Sequence, residues 1–118
     1  MSTTDSVINI LMDFSKEHMF DDIKFGLFGS YAKNAQTTLS DLDIVLKGKE
    51  PLLLVYDGIE MLIQNHINDK LGLKCDIVDY ADLEQDYEEA KELGIEEFTL
   101  KSEIDKEVIW IGRKNIEE

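Results

Sequence analysis

Basic residues are scarce in this chain. Twelve lysines and arginines stand against 26 aspartates and glutamates in 118 residues, a formal net charge of −14. A surface that negative repels DNA, RNA and anionic lipid unless a basic group is presented locally. It favours a basic protein partner, a metal ion, or a ligand that brings its own cations. Cysteine occurs once, at Cys75, so no disulfide can close within the chain, which points to a reducing compartment. Proline also occurs once, at Pro51. Long apolar runs are missing: the longest aliphatic one is "LLLV", Leu52–Val55, far short of a membrane span. The opening "MSTTDSVINILMDF" has no basic region and carries an acid within its apolar stretch, unlike a signal peptide. A cytoplasmic setting is expected. Hydrophobic residues make up 43% of the chain, enough for a core, so residues 1–118 are expected to form a single domain.

No repeat, low-complexity block or linker-like shift in composition interrupts the chain. Val7, Ile10, Leu11 and Phe14 recur at helical spacing after "STTD", which offers several N-cap residues. "IKFGLFG" predicts a strand ending at Gly29, and "SYAKNA" a short helix from Ser30. "TTLSDLDIVLKG" predicts a turn and a strand. A helix then begins near Pro51, with Val55, Ile59, Leu62, Ile63, Ile67 and Leu71 as one apolar stripe and Gly72 as its stop. "LKCDIVDY" is a third strand, "ADLEQDYEEAKELG" an acidic helix with a glycine stop, "IEEFTLKSEIDK" another helix, and "EVIWIG" a closing strand. The expectation is an α/β or α+β fold, a sheet covered by helices.

The chemistry concentrates in "FGSYAKNAQTTLSDLD". A Gly-Ser pair is followed, ten residues on, by two aspartates one residue apart. Side chains alternate along a strand, so Asp41 and Asp43 share a face while Leu42, Ile44 and Leu46 share the other. Two like charges about 4 Å apart repel by roughly 4 kcal/mol at an effective dielectric near 20. Such a pair is tolerated at a solvated strand end, with one carboxyl protonated, or around a divalent cation, where oxygen ligands suit Mg2+ or Mn2+. The preceding glycine turn and the Ser30 helix start would bring backbone N–H groups to the same edge, where phosphate binds well. "KCDIVDY" offers a third carboxylate. Asp76 lies between Cys75 and Ile77, inside a strand, where an aspartate needs a reason; Asp79, at the strand end, reads as a turn or cap residue.

"GSYAKNAQTTLSDLD" resembles the Gly-Ser, ten-residue, Asp-x-Asp signature of the minimal nucleotidyltransferases, the smallest members of the DNA polymerase beta-like superfamily. "CDIVDY" is similar to that family's third-carboxylate strand, and "LKSEIDKEVIWIG" to its closing helix and strand. The resemblance implies a mixed sheet flanked by helices. It implies that Gly29, Ser30 and Lys33 hold the triphosphate of a nucleotide and that Asp41, Asp43 and Asp76 bind Mg2+ or Mn2+, with Asp76 also helping to deprotonate the attacking hydroxyl. ATP would be the substrate and in-line attack on its α-phosphorus the reaction. Where relatives often read Gly-Ser-x-Ala-Arg-Gly, this chain has Lys33, which keeps the charge without the bidentate fork, and Asn34, which tolerates left-handed backbone.

Small members of the family resemble the antitoxin of HEPN/MNT pairs. The resemblance implies transfer of AMP to a tyrosine of a helical HEPN-domain toxin, and the −14 charge suits a basic ribonuclease partner. Two other readings stay open: a binding module that masks its partner by contact, and a free-standing transferase acting on a small-molecule hydroxyl, its pocket built between subunits of a homodimer. From Asp79 to Glu107 there are twelve acids against three lysines, read as a solvated face unless apolar residues such as Tyr87, Phe98 or Trp110 stand exposed beside them. Trp110, in a strand, is expected in the core. Tyr31 could stack on a base, accept AMP or pack. His18 and His66 lack ligand spacing, and Cys75 reads as a small buried filler.

Overall fold

The computed structural model describes residues 3–17, 23–33, 35–37, 41–48 and 58–111. The elements along the chain are α1 (Thr3–Glu17), β1 (Lys24–Phe28), β2 (Leu42–Lys47), α2 (Ile59–Leu71), β3 (Cys75–Asp79), α3 (Tyr80–Glu92), a 3-10 turn (Glu96–Phe98), α4 (Leu100–Glu107) and β4 (Ile109–Ile111). The four strands form one mixed sheet in the order β3-β2-β1-β4. β2 and β3 run parallel; β1 is antiparallel to both β2 and β4. This is the expected α/β architecture.

Strand alternation divides the core in two. One face carries Phe25, Leu27, Leu42, Ile44, Leu46 and Ile111, packed under Val7, Leu11 and Phe14 of α1 and Ile59, Ile63 and Ile67 of α2. The stripe on α2 is narrower than the sequence predicts, because Leu62 is 46% exposed; the helix turns it past the sheet. Val55 and Pro51 lie outside the described residues. The opposite face has a smaller cluster of Phe28, Val45, Tyr80, Leu83 and Ile104, with Val78, Val108 and Trp110 against it. Trp110, expected in the core, is half-buried at the edge of this cluster, its ring edge-on to Tyr80 with centroids 5.7 Å apart. Gly26 makes the space: a Cβ there would stand 2.6 Å from Val45, 2.8 Å from Val108 and 2.9 Å from the Trp110 ring.

The ends of the elements follow local chemistry. Gly72 closes α2 with φ 67°, its N–H donating to the Asn68 carbonyl. Gln64 then clamps the way into β3: its Nε2 donates to the Leu73 carbonyl at 3.3 Å, and its Oε1 accepts from the Cys75 N–H at 3.0 Å. Asp79 caps α3, accepting from the Ala81 N–H at 3.1 Å. At the far end of α3, Gly94 donates to Lys91 and Ile95 to Ala90, the paired bonds of a left-handed helix stop. The helix predicted over "IEEFTLKSEIDK" is broken in two. Thr99 takes an extended conformation and caps α4 by accepting from the Ser102 N–H, while its hydroxyl and that of Ser102 donate to the Glu96 carbonyl. "SYAKNA" is likewise a turn rather than a helix, held by Lys33 N–H to Gly29 carbonyl and Ala35 N–H to Ser30 carbonyl bonds; Asn34 lies outside the described residues.

Candidate active site

The register places three residues in a row across one end of the sheet. Phe28 of β1 pairs with Asp43 of β2, and Asp43 pairs with Asp76 of β3. Paired residues point to the same face, so the two aspartates stand side by side on the face that carries the smaller core. Asp76 is exposed and Asp43 half-buried; Asp41, one residue before β2, is exposed. Leu42, Ile44 and Leu46 are fully buried on the other face, as the alternation requires.

Gly29 follows Phe28 directly and turns the chain with φ +74°. A Cβ at this position would strike Asp43 Oδ2. The position therefore demands glycine twice, for its backbone and for the closeness of the carboxylate. The turn brings the Gly29 N–H, Ser30 and Lys33 to the edge where Asp43 lies. Tyr31 is only 3% exposed and belongs to the first core; its carbonyl accepts from Thr4 Oγ1 at 2.6 Å. Of the roles weighed for it, packing is the one its burial permits.

Electrostatics mark Asp43 as the centre of the cluster. Its carboxyl is pushed above the usual carboxylate range by burial first, then by the charges of Asp76, Asp41 and Glu107. Cys75, behind the row on the opposite face, has its thiol pushed up to about 12, again by burial first and then by the charges of Asp76, Asp41 and Asp43. Cys75 packs half-buried against the first core, in keeping with a filler.

The donors available here are carboxylate oxygens, which fit a hard divalent cation. Asp43 and Asp76 are register neighbours, and the absent side chain at Gly29 leaves the Asp43 carboxylate uncrowded. The three aspartates are nevertheless not gathered into one ligand cluster: among the described residues, no three His, Cys, Asp or Glu side chains stand together closely enough to hold an ion.

Glu107, the last residue of α4, is the member of the site that the sequence did not reveal. Its Oε1 accepts from the Gly29 N–H at 3.1 Å, and its Oε2 pairs with Lys33 Nζ at 2.9 Å. Hydrogen bonding from Lys33 holds the Glu107 carboxyl below its ordinary value, and the same bond raises Lys33. Nothing in "DKEVIW" distinguishes this glutamate from its many acidic neighbours; only the packing of α4 brings it 78 residues back along the chain to the turn.

The chain belongs to the nucleotidyltransferase domain family, which it matches over residues 7–111. It is similar to three proteins of Methanocaldococcus jannaschii, each named "putative protein adenylyltransferase". The first is 29% identical and the second 27%; each alignment spans 94% of this chain and the whole of the relative. The third is 33% identical over 66% of this chain and 79% of the relative. A solved toxin-antitoxin structure with AMP-PNP overlaps at a TM-score of 0.49 and 22% identity, covering 61% of this chain and 56% of that one. Among the described residues, no helix is long and apolar enough to cross a membrane.

Proposed function

We propose that this chain is a divalent-cation-dependent protein adenylyltransferase, a single cytoplasmic domain that transfers AMP from ATP to a tyrosine hydroxyl of a partner protein. The observation that carries the reading is the row of Phe28, Asp43 and Asp76, with Gly29 turning against the Asp43 carboxylate.

Asp41, Asp43 and Asp76 would hold Mg2+ or Mn2+, which when bound neutralises phosphate charge and lowers the pKa of the attacking hydroxyl. The protein's own groups supply position. The Gly29 N–H, Ser30 and Lys33 orient the triphosphate along the strand end. Asp76, exposed at the outer end of the row, would take the proton of the incoming hydroxyl at its carboxylate. A new oxygen–phosphorus bond forms at the α-phosphorus, the α–β bridging bond breaks, and pyrophosphate leaves with the bonding pair.

The partner we infer is a basic, helical HEPN-domain toxin, with this chain as its antitoxin. Leu93, Ile95, Phe98 and Leu100 are 46–77% exposed within a single eight-residue stretch. Exposed Glu88, Glu89, Glu92 and Glu97 flank them. An apolar centre with an acidic rim suits a partner of opposite charge, and repels a second copy of the same chain. Because this stretch is separate in sequence from the aspartates, neutralisation by contact alone is the second reading.

Incubation with α-labelled ATP, Mg2+ and the product of the neighbouring gene as candidate toxin tests both. Label on the toxin that disappears with Asp43→Asn or Asp76→Asn supports transfer. No label, together with full neutralisation by those variants, establishes masking by contact instead.

A further inference from the structure

The groups that should receive the triphosphate are already bonded to an anion of the chain itself. Glu107 divides its two oxygens between the Gly29 backbone N–H at 3.1 Å and Lys33 Nζ at 2.9 Å. A phosphate seated on this turn would need the same two donors, one backbone amide and one ammonium, spanned by two oxygens of a single charged group. While Glu107 occupies them, the lysine's charge is cancelled and the strand end presents a fourth carboxylate beside Asp41, Asp43 and Asp76. A polyanion cannot approach that arrangement without replacing something in it.

We propose that Glu107 is a tethered stand-in for a phosphate group, and that nucleoside triphosphates bind by exchange, displacing it from Gly29 and Lys33. This rests on the nucleotidyltransferase reading of the site and adds to it how the phosphate-binding turn is held before nucleotide arrives. Two features make exchange feasible. The Lys33 side chain is 61% exposed, so it can follow an incoming phosphate without repacking a core. Glu107 is the last helical residue before Val108 and the short strand β4, so its side chain can swing at a helix end while Ile104 stays buried one turn earlier. In the free protein the pair would hold the turn in place and discourage binding of stray anions. In the bound protein the released carboxylate would face solvent.

A purely structural strut would occupy the same position, and the two roles predict opposite results. Binding of ATP–Mg2+ and of inorganic tripolyphosphate is measured by calorimetry for the wild type, Glu107→Gln and Glu107→Ala, with thermal unfolding as the check on folding. Gln keeps an oxygen for the Gly29 N–H but frees the lysine, so it is informative even if the alanine variant is unstable. Exchange predicts that both probes bind about three- to tenfold more tightly to the variants, the scale of one exposed ion pair with its charge-assisted hydrogen bond. It also predicts that the Gly29 amide resonance, distinct in the free wild type and free Glu107→Ala, converges on one position when both are saturated. Unchanged or weaker binding by the variants overturns exchange and makes Glu107 a strut, leaving the nucleotidyltransferase reading intact. Failure of every form, wild type included, to bind either probe at millimolar concentration overturns that reading, and exchange with it.

Discussion

The two faces of the sheet are built from the same strands and serve different ends. Under α1 and α2 the strands carry Phe25, Leu27, Leu42, Ile44, Leu46 and Ile111, all at most 3% exposed, with the acid Asp79 buried in register with Leu46 and capping α3. Under α3 and α4 the same alternation gives Gly26, Val45, Val78 and Trp110 in the middle and Phe28, Asp43 and Asp76 at one end. The first face buries the larger apolar cluster and stabilises the domain. The second is covered only in part, and the uncovered end holds the carboxylates. A site of like charges is affordable there because the opposite face carries the folding energy.

The largest expected contrast is in chemistry. Asp43→Asn should reduce AMP transfer at least about 100-fold, as removal of a charge-stabilising group commonly does, while leaving the far-ultraviolet dichroism unchanged. Retained transfer would remove the second face from the mechanism. Next comes stability. Ile44→Ala, beneath α1 and α2, should cost about 2–5 kcal/mol in urea unfolding, against about 2 kcal/mol for Leu83→Ala in the smaller cluster. Equal costs would mean that the two faces share the folding energy evenly. Gly26→Ala should cost about 1–3 kcal/mol through overpacking against Val45, Val108 and Trp110; a neutral result would show that the smaller core has slack.

The smallest effect concerns pH. The folded-state pKa of Asp43 is raised above the ordinary 3.8, chiefly by burial. The folded state therefore takes up that proton before the unfolded state does. The penalty is fully present at neutral pH and is relieved as pH falls from above the raised value towards 3.8. Asp43→Asn should thus be more stable than wild type at pH 7 by no more than about 1 kcal/mol, given solvent screening at a half-exposed group. The difference should vanish below about pH 3.5 in paired melts of the two proteins. A gap that persists in acid would assign the gain to something other than charge.

Much of the fold was legible because it rests on short-range patterns. The alternation in "LDIVLK" placed Leu42, Ile44 and Leu46 inside, and Gly72 and Gly94 ended helices through the left-handed backbone that glycine accepts. The misses had local causes too weak to read in a string. Thr99 broke a helix that composition favoured, because its hydroxyl and that of Ser102 close on the Glu96 carbonyl. Leu62 looked like part of a stripe, but helical geometry turns it out. Of the site, Gly29, Asp41, Asp43 and Asp76 could be proposed from spacing and resemblance; Glu107 could not, as one acid among 26.

By itself the sequence determined which residues alternate, where helices stop, and that two aspartates follow a glycine turn at fixed spacing, since each depends on backbone geometry a few residues long. Tertiary structure alone decided that Asp76 lies beside Asp43, because the register between β2 and β3 is set by how α2 packs and where Gln64 clamps the chain. It alone decided that Glu107 closes on Gly29 and Lys33, because an ion pair between distant residues exists only once the helix that carries one of them has docked.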